Sequence, residues 1–127
     1  MEHATPDVVT IARDLIAAGH ARDGAKVASL SEPPDDTAIF TVSSAPDSNL
    51  TLQALLDHFN DYPPCALIGS QPAGYMYGDS AWVFDNPSVV VPGEGAISIR
   101  ITVVLHKFAE GWKVVHAHLS EGVAHLE

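Results

Sequence analysis

His116 and His118 stand two positions apart near the end of the chain, with Ser120 beyond them and Arg100 and Thr102 in the apolar run before them. Two histidines at this spacing on a strand can share one metal ion. No third ligand can be named with them, because His106 pairs farther along the same face. The pair therefore reads as a hydrogen-bonding set. A neutral imidazole donates from one ring nitrogen and accepts at the other, which suits Thr102, Ser120 and Arg100 as partners. No metal and no cofactor are expected. Asp85 offers different chemistry: it follows the apolar run from Ala81 to Phe84, and a carboxylate inside an apolar cavity can serve as a general base. Asp85-Asn86-Pro87 also fits ordinary turn chemistry, and the bend leaves open which face Asp85 takes. His58, beside the apolar stripe of Leu55 and Phe59, is the second candidate acid or base. Tyr62, Tyr75 and Tyr77 are candidate hydroxyl donors at a cavity mouth. Asp14 and His20 read as solvated, and Cys65 as a small buried residue. Gly74, Gly78, Gly93 and Gly95 do not form a phosphate loop, since neither glycine fingerprint for phosphate is present.

These residues need elements to hold them. Thr5, Pro6 and Asp7 suit the start of a helix, with Thr5 as N-cap. Val8, Ile11, Ala12, Leu15 and Ile16 follow at helical spacing until Gly19. A short second helix is expected over Asp23 to Leu30, a loop over 31–36, a strand from Ala38 to Ser43, a break over 45–49 and a third helix from Leu50 to Asn60. The remainder reads as strands: Ala66 to Gln71, Gly74 to Tyr77, Ser80 to Phe84, Val89 to Val91, Ala96 to Phe108 and Trp112 to Ser120. The last two flank Ala109-Glu110-Gly111 and read as a hairpin. A turn centred on Glu110 pairs Phe108 with Trp112, Val104 with His116, Thr102 with His118 and Arg100 with Ser120. Side chains alternate along a strand, so Ile101, Val103, Leu105, Val115, Ala117 and Leu119 share an aliphatic face. Arg100, Thr102, His116, His118 and Ser120 share the other.

Composition excludes several partners. The chain has 127 residues, 46% of them hydrophobic, which fits one domain with a real core, 1–127. Its net charge is -10 with six Lys plus Arg, so no nucleic acid is expected, because phosphates need a basic footprint. No membrane is expected either: no apolar run approaches the roughly 20 residues of a bilayer span. The opening residues show no signal-peptide pattern. The single cysteine, Cys65, forms no internal disulfide and fits a cytoplasmic setting. Leu126-Glu127 is consistent with a cloning scar before a purification tag and carries no weight.

The hairpin, with Trp112 opening its second strand and the His116-x-His118-x-Ser120 row after it, resembles the closing hairpin of SnoaL-like proteins in the nuclear-transport-factor-2-like superfamily. The resemblance implies an α+β fold: a cone-shaped α+β barrel with N-terminal helices packed on a curved antiparallel sheet. It also implies homodimerisation through the outer sheet surface, at Arg100, Thr102, His116, His118 and Ser120. Steroid isomerases and polyketide cyclases of this superfamily use a buried carboxylate as base, a role that Asp85 would take here. Their tyrosine donor from the first helix has no counterpart in this chain. The Asp-Arg-Asp arrangement of limonene-epoxide-hydrolase-like members is missing too, since Thr102 stands two positions after Arg100. The hub domain of calcium/calmodulin-dependent protein kinase resembles the hairpin as well, and its cavity arginines align with Val103 and Leu119.

The expectation is therefore a greasy cavity lined by Val103, Leu119, Ala117, Ile101, Phe59, Trp82, Tyr75 and Tyr77, holding a small organic ligand in a homodimer. The alternatives are a cofactor-free isomerase, cyclase or dehydratase that abstracts a proton through Asp85 or His58, and a non-enzymatic assembly module.

Overall fold

The computed structural model describes residues 1–31, 36–42 and 47–121. Leu126-Glu127 and parts of the loops expected at 31–36 and 45–49 lie outside the described residues.

The first half carries β1 (Glu2–His3), α1 (Pro6–Ala21), α2 (Gly24–Ser31), β2 (Ile39–Thr41), β3 (Asn49–Thr51) and α3 (Leu52–His58), which runs into a 3₁₀ turn at Phe59–Asp61. The second half is all strand: β4 (Ala66–Ile68), β5 (Ala73–Tyr77), β6 (Ser80–Asp85), β7 (Ser88–Val91), β8 (Gly95–Phe108) and β9 (Gly111–Glu121).

Pro6 opens α1, where its fixed φ and missing N–H cost nothing. Thr5 is extended there but does not cap the helix. Its hydroxyl donates to the Asp7 carboxylate, which holds that carboxyl below its ordinary value. The helix continues past Gly19 to Ala21 and stops at Arg22, whose φ of 60° is left-handed. That conformation costs a non-glycine residue about 1–2 kcal/mol. The Arg22 guanidinium offsets it by donating to the carbonyls of Gly19 at 3.0 Å and Pro63 at 3.2 Å. The third helix starts later than its apolar spacing suggests. Asn49–Thr51 pairs with β2 instead, and Thr51 caps α3 by accepting the Ala54 N–H at 3.2 Å.

The strands form one open sheet in the order β1-β5-β6-β8-β9-β2-β3. Every pair in it is antiparallel except β2 with β9, so the sheet is mixed, a departure from the all-antiparallel expectation. The long β8 serves two partners, β7 along its first residues and β6 farther on, while β4 pairs with β7. Ala81, Val83, Ile101, Val103 and Leu105 turn inward and are buried with Val8, Ala12, Leu15 and Ile16 of α1. A fully buried side chain of this kind contributes about 1.5–3 kcal/mol relative to exposure. Lys113 of β9 donates to the Ser29 carbonyl at 2.8 Å, fastening the end of α2 to the sheet.

The closing hairpin departs from its expected register in two places. Its turn is one residue shorter: Phe108 pairs with Gly111 and Lys107 with Trp112. A register shift beside Leu105 then inserts Val115 without a partner, so Leu105 faces Val114 and Val104 faces His116. The two changes cancel. Beyond the shift, Thr102 pairs with His118 and Arg100 with Ser120, as alternation around a longer turn would also give. Val114, rather than Val115, is the fully buried residue at this level.

Candidate functional site

Between the helices and the concave face of the sheet lies a hollow of about 390 Å³. Its floor is Ile99, Ile101 and Val103 of β8 with Ala117 and Leu119 of β9. Alternation brings these five to one face, because Val103 pairs with Ala117 and Ile101 with Leu119. Leu15 and Ile16 of α1, Leu55 of α3 and Phe59 close it from above, and Val89, Val91 and Ile97 form a side wall. The polar groups come from two ends of chain that meet there. His20 and Arg22 end α1, while His58 ends α3 and Tyr62 and Cys65 follow it. The Cys65 N–H donates to the His20 carbonyl at 2.8 Å and ties these segments together. Glu94 and Glu121, both exposed, lie on the opposite rim.

Of the residues expected at a cavity, Val103, Leu119, Ala117, Ile101 and Phe59 line this hollow, and so does His58. The His58 ring packs on Tyr62 with centroids 4.3 Å apart. Trp82, Tyr75 and Tyr77 are not in the lining. Trp82 pairs with Val104, and Tyr75 with Trp82, so all three share the outer face of the sheet. The inward positions of the same strands are Ala81, Val83 and Gly74.

Asp85 is buried, and its place is also away from the hollow. Its carboxylate accepts the Ser70 hydroxyl at 2.6 Å, the Gln71 N–H at 3.0 Å and the Asn86 N–H at 2.9 Å. Three donors leave this carboxylate a loop-holding part, pinning the turn before β5 to the end of β6.

Arg100, Thr102, His116, His118 and Ser120 fall on the outer face with Trp82 and Tyr75. Their hydrogen bonding differs from the expected mutual set. His116 donates from Nδ1 to the Ile39 carbonyl at 2.9 Å, and Arg100 reaches the Glu121 carbonyl at 3.5 Å. The His116 and His118 rings stand edge to face, 6.4 Å apart. Among the described residues, no group of three or more histidine, cysteine, aspartate or glutamate side chains is placed to hold a metal ion. No helix among them is long and apolar enough to cross a membrane.

His20, a solvated position by sequence, lies in the structure at the lining of the hollow. Burial is the largest influence on its ring and disfavours the charged form. A bond to the Ile16 carbonyl pulls the other way, and the nearby Arg22 cation lowers it further. The net direction is below the ordinary histidine value. Its position was available as a signal: His20 lies four residues after Ile16, on the buried stripe of α1.

A family model described as a SnoaL-like domain matches residues 8–124. The chain belongs to the SnoaL-like family. Solved structures agree on the fold. The SnoaL-like chain is similar to the calcium/calmodulin-dependent protein kinase II hub of S. rosetta, with 23% identity, 94% of this chain and 98% of the hub covered, and a TM-score of 0.73. It is similar to a candidate dehydratase of the nuclear-transport-factor-2-like family from Streptomyces avermitilis, with 18% identity, 94% and 99% covered, and a TM-score of 0.72. A candidate ketosteroid isomerase from Parabacteroides distasonis gives 17% identity, 94% and 88% covered, and a TM-score of 0.67. No curated protein matches the chain by sequence. Neighbours with such different names support the SnoaL-like architecture and leave the chemistry to the site itself.

Proposed function

We propose that this SnoaL-like domain binds a compact, mainly apolar organic molecule in the hollow beneath its helices, without a cofactor, as a two-fold homodimer. The observation that carries the reading is the unbroken aliphatic floor of Ile99, Ile101, Val103, Ala117 and Leu119 under about 390 Å³ of space. That volume falls in the range typical of small-molecule pockets. Apolar surface moved from water onto this floor contributes roughly 25 cal/mol per Å² before the costs of association. No arginine stands at Val103 or Leu119, so the floor offers nothing to a small carboxylate.

Titration calorimetry with naphthalene is the direct test. Micromolar binding to the wild-type protein, weakened at least about tenfold by Val103→Phe through lost pocket volume, supports the reading. Absence of binding by a panel of one- and two-ring hydrocarbons contradicts it. Leu119→Phe serves as a second filling variant from the neighbouring strand.

The dimer is proposed on the outer sheet face. Tyr75 is 37%, Tyr77 71% and Phe84 43% exposed there, beside Trp82 and the His116–His118 row. An apolar aromatic surface of this kind marks a face that a second protein covers. Turnover by acid-base chemistry, in the manner of an isomerase, cyclase or dehydratase, is the second reading. The tilted His58–Tyr62 ring pair at the hollow favours it, with His58 as the base.

A further inference from the structure

The Nδ1 atom of His20 lies 2.8 Å from the Ile16 carbonyl oxygen. A carbonyl can only accept, so Nδ1 carries the proton. In the neutral ring, the remaining nitrogen, Nε2, is then an acceptor with a lone pair. It takes no hydrogen bond from any described residue, and the side chain belongs to the lining of the hollow. The ring is anchored by Nδ1 from within its own helix, and the helix end is anchored by Cys65 and by Arg22. A fixed acceptor therefore belongs to the polar corner of a hollow whose floor is aliphatic.

Arg22 adds a second property. Its guanidinium binds only backbone carbonyls and lies over the Phe59 ring at 5.6 Å, with no carboxylate paired to it among the described residues. The groups around this corner are thus a neutral imidazole and an unneutralised cation, with His58, Tyr62 and Cys65 on the adjoining segment and Glu94 and Glu121 across the hollow.

We propose that His20 is the recognition group of the hollow, and that the bound molecule is an apolar ring compound presenting a phenolic or enolic hydroxyl to Nε2. The hydroxyl donates to the lone pair, and the partial negative charge it gains sits near the Arg22 guanidinium. Set against Nε2 itself, a ketone or a carboxylate oxygen fits less well. Either would set an acceptor oxygen against an acceptor nitrogen, and burial opposes the protonation of His20 that would relieve the clash.

The proposal rests on the hollow being the ligand site, so the test uses probes that separate the two claims: naphthalene, 2-naphthol and 2-naphthoate, titrated into the full chain by calorimetry. The wild-type protein should favour 2-naphthol over naphthalene by about three- to tenfold, the range of one added hydrogen bond, with 2-naphthoate no better than naphthalene. His20→Phe should abolish that preference, so that the variant binds 2-naphthol no more tightly than it binds naphthalene. In the wild-type protein, the Nε2 resonance of His20 in nitrogen-15 spectra should move with 2-naphthol and stay in place with naphthalene, a readout that needs no folded variant. Equal binding of the naphthol and the hydrocarbon, tightest binding of the carboxylate, or a preference that survives His20→Phe would overturn the proposal and leave the apolar hollow standing. Failure of all three probes to bind would remove both.

Discussion

Asp85 and His20 show how surroundings assign a side chain its part. Asp85 looked like a base because it follows an apolar run. Three donors from Ser70, Gln71 and Asn86 occupy it instead. Removing a buried acceptor strands its donors, and bonds to a charged group contribute about 1.5–3 kcal/mol each at most. Asp85→Ala should lower unfolding stability by about 3 kcal/mol in urea titrations, with naphthalene affinity unchanged. A loss of affinity without a loss of stability would place Asp85 in the binding machinery after all. His20 carries a pH signature. Above its ordinary value of 6.5, both folded and unfolded forms are neutral. As pH falls below that value, the unfolded chain takes up a proton that the folded protein resists, so stability declines until the folded His20 itself protonates. The wild-type protein should therefore lose stability on acidification through this window more steeply than His20→Phe, as denaturant midpoints at several pH values would record. Parallel curves would mean that the ring is not held neutral. Neither part was legible from residue types. Asp85-Asn86-Pro87 hid two of the three partners of Asp85, which come from a loop 14 and 15 residues earlier. The spacing of His20 from Ile16 was visible, but the turn after Tyr62 that covers it was not.

At the scale of elements, alternation in the closing hairpin was the readable signal, and it was enough to bring Val103, Ala117, Ile101 and Leu119 to one floor. What it could not show was the route. Gly111, at a φ of 115°, permits a turn one residue tighter than expected, and the unpaired Val115 restores the phase. A bulge of this kind adds a residue without altering the apolar pattern at either end. The neighbouring strands were readable in extent but not in facing. The Trp82 and Tyr75 side chains were expected inside, and cross-strand pairing with Val104 turns them out. β2 falls inside the strand expected from Ala38 to Ser43, whereas β3 was not legible, because a three-residue strand is fixed by its partner rather than by its own periodicity. Gly74 makes a sharp test of the β5–β6 pairing. A Cβ there would meet the Trp82 carbonyl oxygen at 2.0 Å, a contact with backbone that cannot swing aside. Gly74→Ala should destabilise the fold by about 3 kcal/mol, whereas Gly78→Ala, with open space around its Cβ, should incur only the backbone cost of its positive φ, about 1 kcal/mol. Thermal melts of the two variants would rank them, and the reverse order would contradict the register.

At the scale of the molecule, the sheet has two faces with different work. The inner face closes a core and a hollow under α1 and α3. The outer face carries aromatic and histidine side chains in place of the lysine and glutamate of a solvated surface. If a second copy covers it, Trp82→Glu should convert a dimer into monomers in sedimentation velocity while leaving the fold intact. The net charge of -10 on each copy adds a further expectation. Like charges repel across the contact and salt screens them, so the dimer should tighten between low and physiological ionic strength. A monomer at every concentration, or a ring of many copies like an assembly hub, would contradict the two-fold contact. The α+β class, with helices first and strands after, was evident from the order of periodicities, and the hairpin motif pointed to the family. The function of the hollow was not legible in the same way, because its polar corner is assembled from residues 20–22 and 58–65, which only the folded chain brings together.

The central claim is that a small apolar molecule enters between the helices and the floor of β8 and β9. Methyl-resolved nuclear magnetic resonance during a naphthalene titration tests it in one experiment. Saturable shifts are expected at Ile101, Val103 and Leu119, with Val114, buried outside the lining, and Ile39 on the outer face unmoved. Shifts confined to the outer face, or none at all up to the solubility limit of the hydrocarbon, would contradict it.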